Sequence, residues 1–131
     1  MTGTKTISKV AILLLLFGVT LAVGAQRSIF LGQTIVNGTN DHDTITVGRA
    51  DGKFHAVQIQ VQRAPIEFQR VLVHYGNGTE QALEFRDRID AGGSTRWIDL
   101  DGGERTIKSV EFWYSKGDWA SRKPTLRLYG R

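Results

Sequence analysis

The sequence contains no cysteine, and this absence excludes disulfide cross-links and thiol chemistry. It also lacks an excess of one charge sign, because 17 basic residues are interspersed with 13 acidic ones and form no continuous basic stripe. Nucleic-acid binding needs a concentrated positive field, so we expect no nucleic-acid partner. A long hydrophobic run is present only once, at residues 10–25.

That run predicts a cleavable signal peptide over residues 1–25, followed by one domain over residues 26–131. Lys5 and Lys9 precede the apolar stretch, and small residues close it at Val23 and Ala25. The alternative is an uncleaved N-terminal anchor, but the run is slightly short for a membrane span and has no basic cluster on its far side. We therefore expect a periplasmic or secreted protein that meets the membrane only through its signal peptide during export.

Removal of the signal segment also changes the charge. Two of the 17 basic residues and none of the 13 acidic residues lie before residue 26, so the remaining chain carries a formal charge of only +2. That remainder is long enough to bury a hydrophobic core without cross-links. A cysteine-free domain in an oxidising compartment must depend on this core alone.

After residue 25 the sequence consists of short alternating apolar runs that are separated by glycine, asparagine and aspartate. This spacing predicts an all-β fold, an antiparallel β-sandwich (jelly-roll-like) of about eight strands. The predicted strands are 28–36, 43–48, 54–63, 66–75, 79–87, 94–100, 105–115 and 124–130.

The period of two assigns most side chains to a core face or an outer face. We expect one inward row on each of four strands. The fourth strand changes phase, which indicates burial on both faces or a bulge near Arg70. The expected inward rows are Val57, Ile59 and Val61; Ile98 and Leu100; Val110, Phe112 and Tyr114; and Leu126 and Leu128, whereas Thr95 is expected to face outward.

No motif in the sequence carries a recognised chemistry. The three histidines, His42, His55 and His74, do not have metal-ligand spacing, and no nucleophile elbow, phosphate loop or dinucleotide fingerprint occurs. The acidic loop at Asp41 and Asp43 lacks the remaining ligands of a calcium site and is better explained as a solvated turn. We expect no metal, no cofactor and no enzymatic activity.

The candidate binding residues are outward-facing aromatic side chains. Trp97, Trp113 and Tyr129 fall on outer rows, and Trp119 lies in a polar loop between the last two strands. Exposed aromatic rings next to polar groups stack on sugar faces or contact proteins, so a glycan or an exported protein is the expected partner. The competing interpretation is that neighbouring strands and arginine or lysine stems cover these rings.

A charged segment completes the candidate site. Arg86, Asp87 and Arg88 alternate in sign, and Asp90 follows them. The simplest interpretation is a strand end with weak surface ion pairs. The alternative is a hydrolase of cell-wall or extracellular polymer that uses Asp87 or Asp90 as a general acid or base.

Several segments together resemble a family of small secreted bacterial β-sandwich proteins of unknown function. The resemblance covers nearly all of the chain after the signal segment, and it implies the sandwich but no catalytic residue. We therefore expect a non-enzymatic exported domain, a binding or envelope-associated module, with a hydrolase and a structural accessory protein as alternatives. The segments that carry the resemblance are 30–63, 71–76, 86–89, 92–100, 107–114 and 126–131.

Overall fold

The computed structural model describes residues 27–36, 41–48, 51–85, 87–115, 117, 119 and 122–131. The predicted signal segment and Arg86 lie outside these residues. Within them the chain forms nine strands and no α-helix, and so no helix with the length and hydrophobicity of a membrane span. In chain order the strands are β1 (Ile29–Ile35), β2 (His42–Thr46), β3 (Ala56–Gln62), β4 (Ile66–Tyr75), β5 (Glu80–Ala82), β6 (Arg88–Ile89), β7 (Ile98–Asp99), β8 (Ile107–Tyr114) and β9 (Thr125–Gly130).

The strands form two antiparallel sheets that pack against each other. One sheet has four strands in the order β1-β9-β3-β7, and the other has the order β2-β8-β4-β5, with β6 paired to the beginning of β4. The predicted antiparallel β-sandwich is confirmed. Only the two-residue strand β6 was not among the predicted strands.

The core lies between the two sheets and consists of the inward rows. Val57, Ile59 and Val61 of β3 are fully buried, and so are Leu126 and Leu128 of β9. Full burial of each such side chain contributes about 1.5–3 kcal/mol, which is how a domain without disulfides is held together. The largest fully buried side chains are Tyr75, Tyr114, Phe54, Phe112 and Ile59.

Strand β4 contains the predicted change of phase. Its pairing with β8 shifts between Phe68, opposite Tyr114, and Arg70, opposite Trp113. This bulge keeps Phe68 and the later apolar residues of β4 in the core while Arg70 faces outward. Leu72 is also buried although it lies on the outer side.

Two buried polar side chains have partners within the structure. The hydroxyl of Tyr114 donates to Asp43 Oδ2 at 2.6 Å, and burial together with this contact raises the pKa of Tyr114 well above its ordinary value. Thr95 was expected to face outward, and this was wrong. Its Oγ1 accepts from the backbone N–H of Ile59 at 3.1 Å and donates to the carbonyl of Arg96 at 2.7 Å. The buried hydroxyl is therefore satisfied both as a hydrogen-bond acceptor and as a donor.

Candidate functional site

The outward-facing aromatic residues lie on two opposite faces of the sandwich. Tyr129 on β9 and Trp97, which immediately precedes β7, belong to the outer side of the four-stranded sheet, here called the four-stranded face. Trp113 on β8 belongs to the outer side of the other sheet, here called the five-stranded face. Trp119 lies apart from both and packs on the core, with its ring 6.0 Å from that of Tyr114. The predicted aromatic residues therefore do not form one surface.

The four-stranded face presents its side chains in rows that run across the strands. In the first row Phe30 of β1 lies opposite Tyr129, which lies opposite Gln58 of β3. Neighbouring strands are about 4.8 Å apart, so each row is a continuous line of side chains. The second row is Gln33, Arg127, Gln60 and Ser94, and the third is Ile35, Thr125 and Gln62.

Three of these residues form a compact aromatic and cationic group. The rings of Phe30 and Tyr129 meet edge to face at 5.6 Å. The guanidinium of Arg127 lies 4.8 Å from the centre of the Phe30 ring and 5.8 Å from that of Tyr129. Phe30 remains 44% exposed and Tyr129 is half-buried, so the group is accessible from solvent.

The guanidinium of Arg127 forms no hydrogen bond and no ion pair within the described part of the chain. Its Nε is buried without a hydrogen-bond partner there. It also forms no ion pair with a described residue. Stacking holds the guanidinium in place and uses none of its terminal N–H groups, which distinguishes Arg127 from an arginine fixed by a carboxylate.

Trp97 extends the same face toward the β7 edge. The Arg131 guanidinium lies 4.6 Å from the centre of its ring. Arg131 follows Tyr129 by two residues and pairs with Ala56 through two backbone hydrogen bonds, which continues the β9–β3 ladder. Trp97 is half-buried under this arginine. Phe30, Tyr129 and Trp97 thus give the face three aromatic rings.

The surroundings of Trp113 on the five-stranded face are different. The ring of His42 on β2 stacks on it at 4.8 Å with an interplanar angle of 27°, and the guanidinium of Arg70 on β4 lies 5.2 Å from its centre. Both neighbours are directly opposite Trp113 in the register, on the two flanking strands. The indole is therefore half-buried between side chains of both flanking strands, as the competing interpretation predicts.

A hydrogen-bonded network crosses this second face. Glu111 bonds to His42 Nε2 at 2.6 Å and also to His74 Nε2, and His74 Nδ1 lies 3.3 Å from Glu80. Burial alone would raise the pKa of Glu111, but hydrogen bonds from the two histidines and their charges lower it below its ordinary value. The network links β2, β8, β4 and β5. No group of three or more histidine, aspartate or glutamate side chains among the described residues has the geometry to hold a metal ion.

The charged residues Arg88 and Asp90 lie at the β6 edge of the five-stranded sheet, in a groove that also reaches Ser94 at the end of the second row. Arg88 bonds to Asp90 at 3.1 Å, and both side chains are exposed. These two residues line a groove of about 530 Å³ with Phe85 and Arg96. Asp87 instead lines a separate depression of about 40 Å³. The two carboxylates that a hydrolase would need are therefore not on one wall of one cleft.

Sequence reasoning assigned Tyr129 to an outer row but did not identify Arg127 or Phe30 as candidate site residues. A bulge between Phe30 and Gly32 shifts the register of β1, so simple alternation does not reveal which side Phe30 takes. The alternation of glutamine and aliphatic residues in β3 was the available signal for the polar rows.

Comparison with known proteins places the chain in a family. The family model described as a domain of unknown function, DUF2541, matches residues 10–130. The chain belongs to this family. The predicted resemblance to a family of unknown function is thereby confirmed, and DUF2541 adds no catalytic residue to the description.

One solved structure gives a structural likeness for this DUF2541 domain. It is AlgX of Pseudomonas aeruginosa, with a TM-score of 0.52 and 10% identity, over 82% of this chain and 27% of AlgX. At that identity the likeness shows a common fold only. The domain spans about a quarter of the AlgX chain. No curated protein matches the chain.

Proposed function

We propose that this protein is a non-enzymatic binding domain that acts outside the cytoplasm and binds a polysaccharide across its four-stranded face. The observation that carries the proposal is the row of Phe30, Tyr129 and Gln58 beside the row of Gln33, Arg127 and Gln60 on the same sheet. One row supplies exposed rings and the next supplies side-chain donors and acceptors. Export through the predicted signal peptide would bring the domain to the compartment where such polymers occur.

The chemistry of this face suits sugars better than protein side chains. A glutamine amide offers both a carbonyl acceptor and two N–H donors, which matches the mixed character of sugar hydroxyls. Of the four glutamines in the rows, only Gln58 bonds through its side chain to another described residue, the carbonyl of Thr95. A protein partner is usually anchored by a side chain in a desolvated pocket, and neither of the two larger clefts formed by described residues includes Phe30, Tyr129 or Arg127.

The test is affinity electrophoresis and calorimetry against a panel of soluble polysaccharides, with two matched aromatic variants. Tyr129→Ala removes a ring from the four-stranded face, and we expect its dissociation constant to rise about tenfold. Trp113→Ala removes a larger ring from the five-stranded face and should leave binding unchanged. Circular dichroism and urea midpoints of both variants establish that they fold.

Three outcomes would contradict the proposal. If no polysaccharide retards the protein, the face does not bind sugars. If Trp113→Ala weakens binding as much as Tyr129→Ala, the wrong face has been chosen. If new reducing ends accumulate during incubation, the protein is a hydrolase, and Asp87 and Asp90 become its candidate residues.

A further inference from the structure

We infer that the polysaccharide bound by the four-stranded face is acidic and that Arg127 binds its anionic groups. The inference rests on the proposed function, since it names the class of ligand for the same surface. It depends on three observations about Arg127, namely its unused donors, its uncharged surroundings and its position relative to a second arginine.

Arg127 is held in place without its charge being used. Its guanidinium stacks on Phe30 and Tyr129, at 4.8 and 5.8 Å, and stacking consumes none of its five N–H donors. Elsewhere in this chain Arg105 also stacks on a ring, Tyr75, but it donates to the carbonyl of Asp101 at 2.6 Å and to Thr79 Oγ1 at 3.1 Å. Arg105 is a structural arginine, whereas Arg127 donates no hydrogen bond to a described residue; its Nε is buried, so the terminal amino groups of its guanidinium are the donors that a ligand would meet.

The surroundings of Arg127 leave its charge unneutralised. Every sheet neighbour, whether opposite, diagonal or two positions along the strand, is uncharged. A ligand carboxylate or sulfate would therefore find no competing acidic side chain beside the guanidinium, and its planar fork suits two oxygens at once. These neighbours are Gln33, Gln60, Thr125, Tyr129, Phe30, Ile35, Gln58 and Gln62.

A second arginine lies further along the same face. Arg131 is four residues beyond Arg127, a separation of about 13 Å along an extended strand. Its guanidinium stacks on Trp97 and likewise forms no ion pair among the described residues. Two stacked arginines at this separation, with neutral amides between them, favour a polymer that repeats its charge over a small molecule with a single anionic group.

The experiment uses two matched pairs of polymers that differ in charge. Polygalacturonate is compared with its fully methyl-esterified form, and dextran sulfate with dextran, by calorimetry with the full domain. We expect at least one acidic polymer to bind about tenfold or more tightly than its neutral counterpart. Arg127→Gln should abolish this preference, and Arg127→Lys should retain part of it, because a lysine keeps the charge without the fork. Arg70→Gln on the five-stranded face is the matched control and should change nothing.

The outcomes separate this inference from the proposed function. Equal binding of neutral and acidic polymers, unaffected by Arg127→Gln, would overturn the inference and leave polysaccharide binding intact. Binding of no polymer in either pair or in the wider panel would overturn both. Equally tight binding of polyglutamate would show that the face responds to negative charge alone, which would also overturn the assignment to an acidic sugar. If Arg127→Gln does not fold, Arg127→Lys provides the comparison.

Discussion

Within the described part of the chain, Arg127 combines two properties that are unfavourable for stability, a buried Nε donor without a hydrogen-bond partner and a charge without an ion pair. A buried unsatisfied donor costs about 1–3 kcal/mol. The substitution Arg127→Met keeps an apolar side chain packed on Phe30 and removes the buried Nε donor. We expect it to raise the free energy of unfolding by about 1 kcal/mol, measured by urea denaturation, while it abolishes any preference for acidic polymers.

The matched control is Arg105→Met. Arg105 stacks on Tyr75 as Arg127 stacks on Phe30, but it is also hydrogen-bonded, so the same substitution should lower stability by about 1–2 kcal/mol. If both substitutions destabilise equally, Arg127 is an ordinary structural arginine. At this scale the sequence predicted which way Trp113 points and offered its coverage as the competing interpretation, but it did not identify His42 and Arg70, which reach the ring from strands distant in sequence.

Among the elements, β8 is connected through one side chain to both neighbouring strands, since Glu111 bonds to His42 on β2 and to His74 on β4. The folded-state pKa of Glu111 lies below its unfolded value of 4.5. The folded protein therefore binds fewer protons at this group, and the resulting stability is present above pH 4.5 and is lost as pH falls through the folded pKa.

We expect Glu111→Gln to lower the free energy of unfolding by about 1–2 kcal/mol at neutral pH and by much less at an acidic pH below the folded pKa of Glu111, where the wild-type carboxylate is itself protonated. Urea denaturation at both pH values measures this difference. Glu104→Gln is the control, because the Glu104–His55 pair is exposed and such pairs contribute about 0.5 kcal/mol or less. An equal effect at both pH values would contradict the role assigned to the Glu111 charge.

The period of two was sufficient to predict eight strands and most inward rows, because apolar and polar residues alternate along a strand that has only one face in the core. It was insufficient for β6, which is two residues long, and for Thr95, which is buried because its hydroxyl satisfies Ile59. The change of phase in β4 was also predictable from the sequence, because Phe68 and Val71 are both apolar and cannot lie on the same face of a regularly alternating strand.

At the scale of the whole molecule, the order of the strands determines which outer residues share a face, and local alternation carries no information about that order. Trp97 and Tyr129 lie on the same face because β9 and β7 both flank β3. Trp113 lies on the opposite face because β8 belongs to the other sheet. The candidate site was therefore only partly predictable: the residue types were visible in the sequence, and their division between two faces was not.

This division predicts that the two faces are energetically independent. The sheets pack about 10 Å apart, and Arg127 and Glu111 project from them in opposite directions. In a double-mutant cycle of Arg127→Met and Glu111→Gln, the coupling in unfolding free energy should be below about 0.5 kcal/mol. A larger coupling would mean that the core transmits changes from one face to the other.

The three tryptophans lie in three different environments, so the fluorescence of each one reports on a different part of the domain. Trp97 lies on the four-stranded face, Trp113 is stacked with His42 on the opposite face, and Trp119 packs beside Tyr114. A polymer that reaches the first ring would alter its emission without touching the others, while loss of the His42 stack would alter the emission of the second. Variants that keep a single indole would therefore report ligand contact, the packing of the five-stranded face and core packing separately, without any added label.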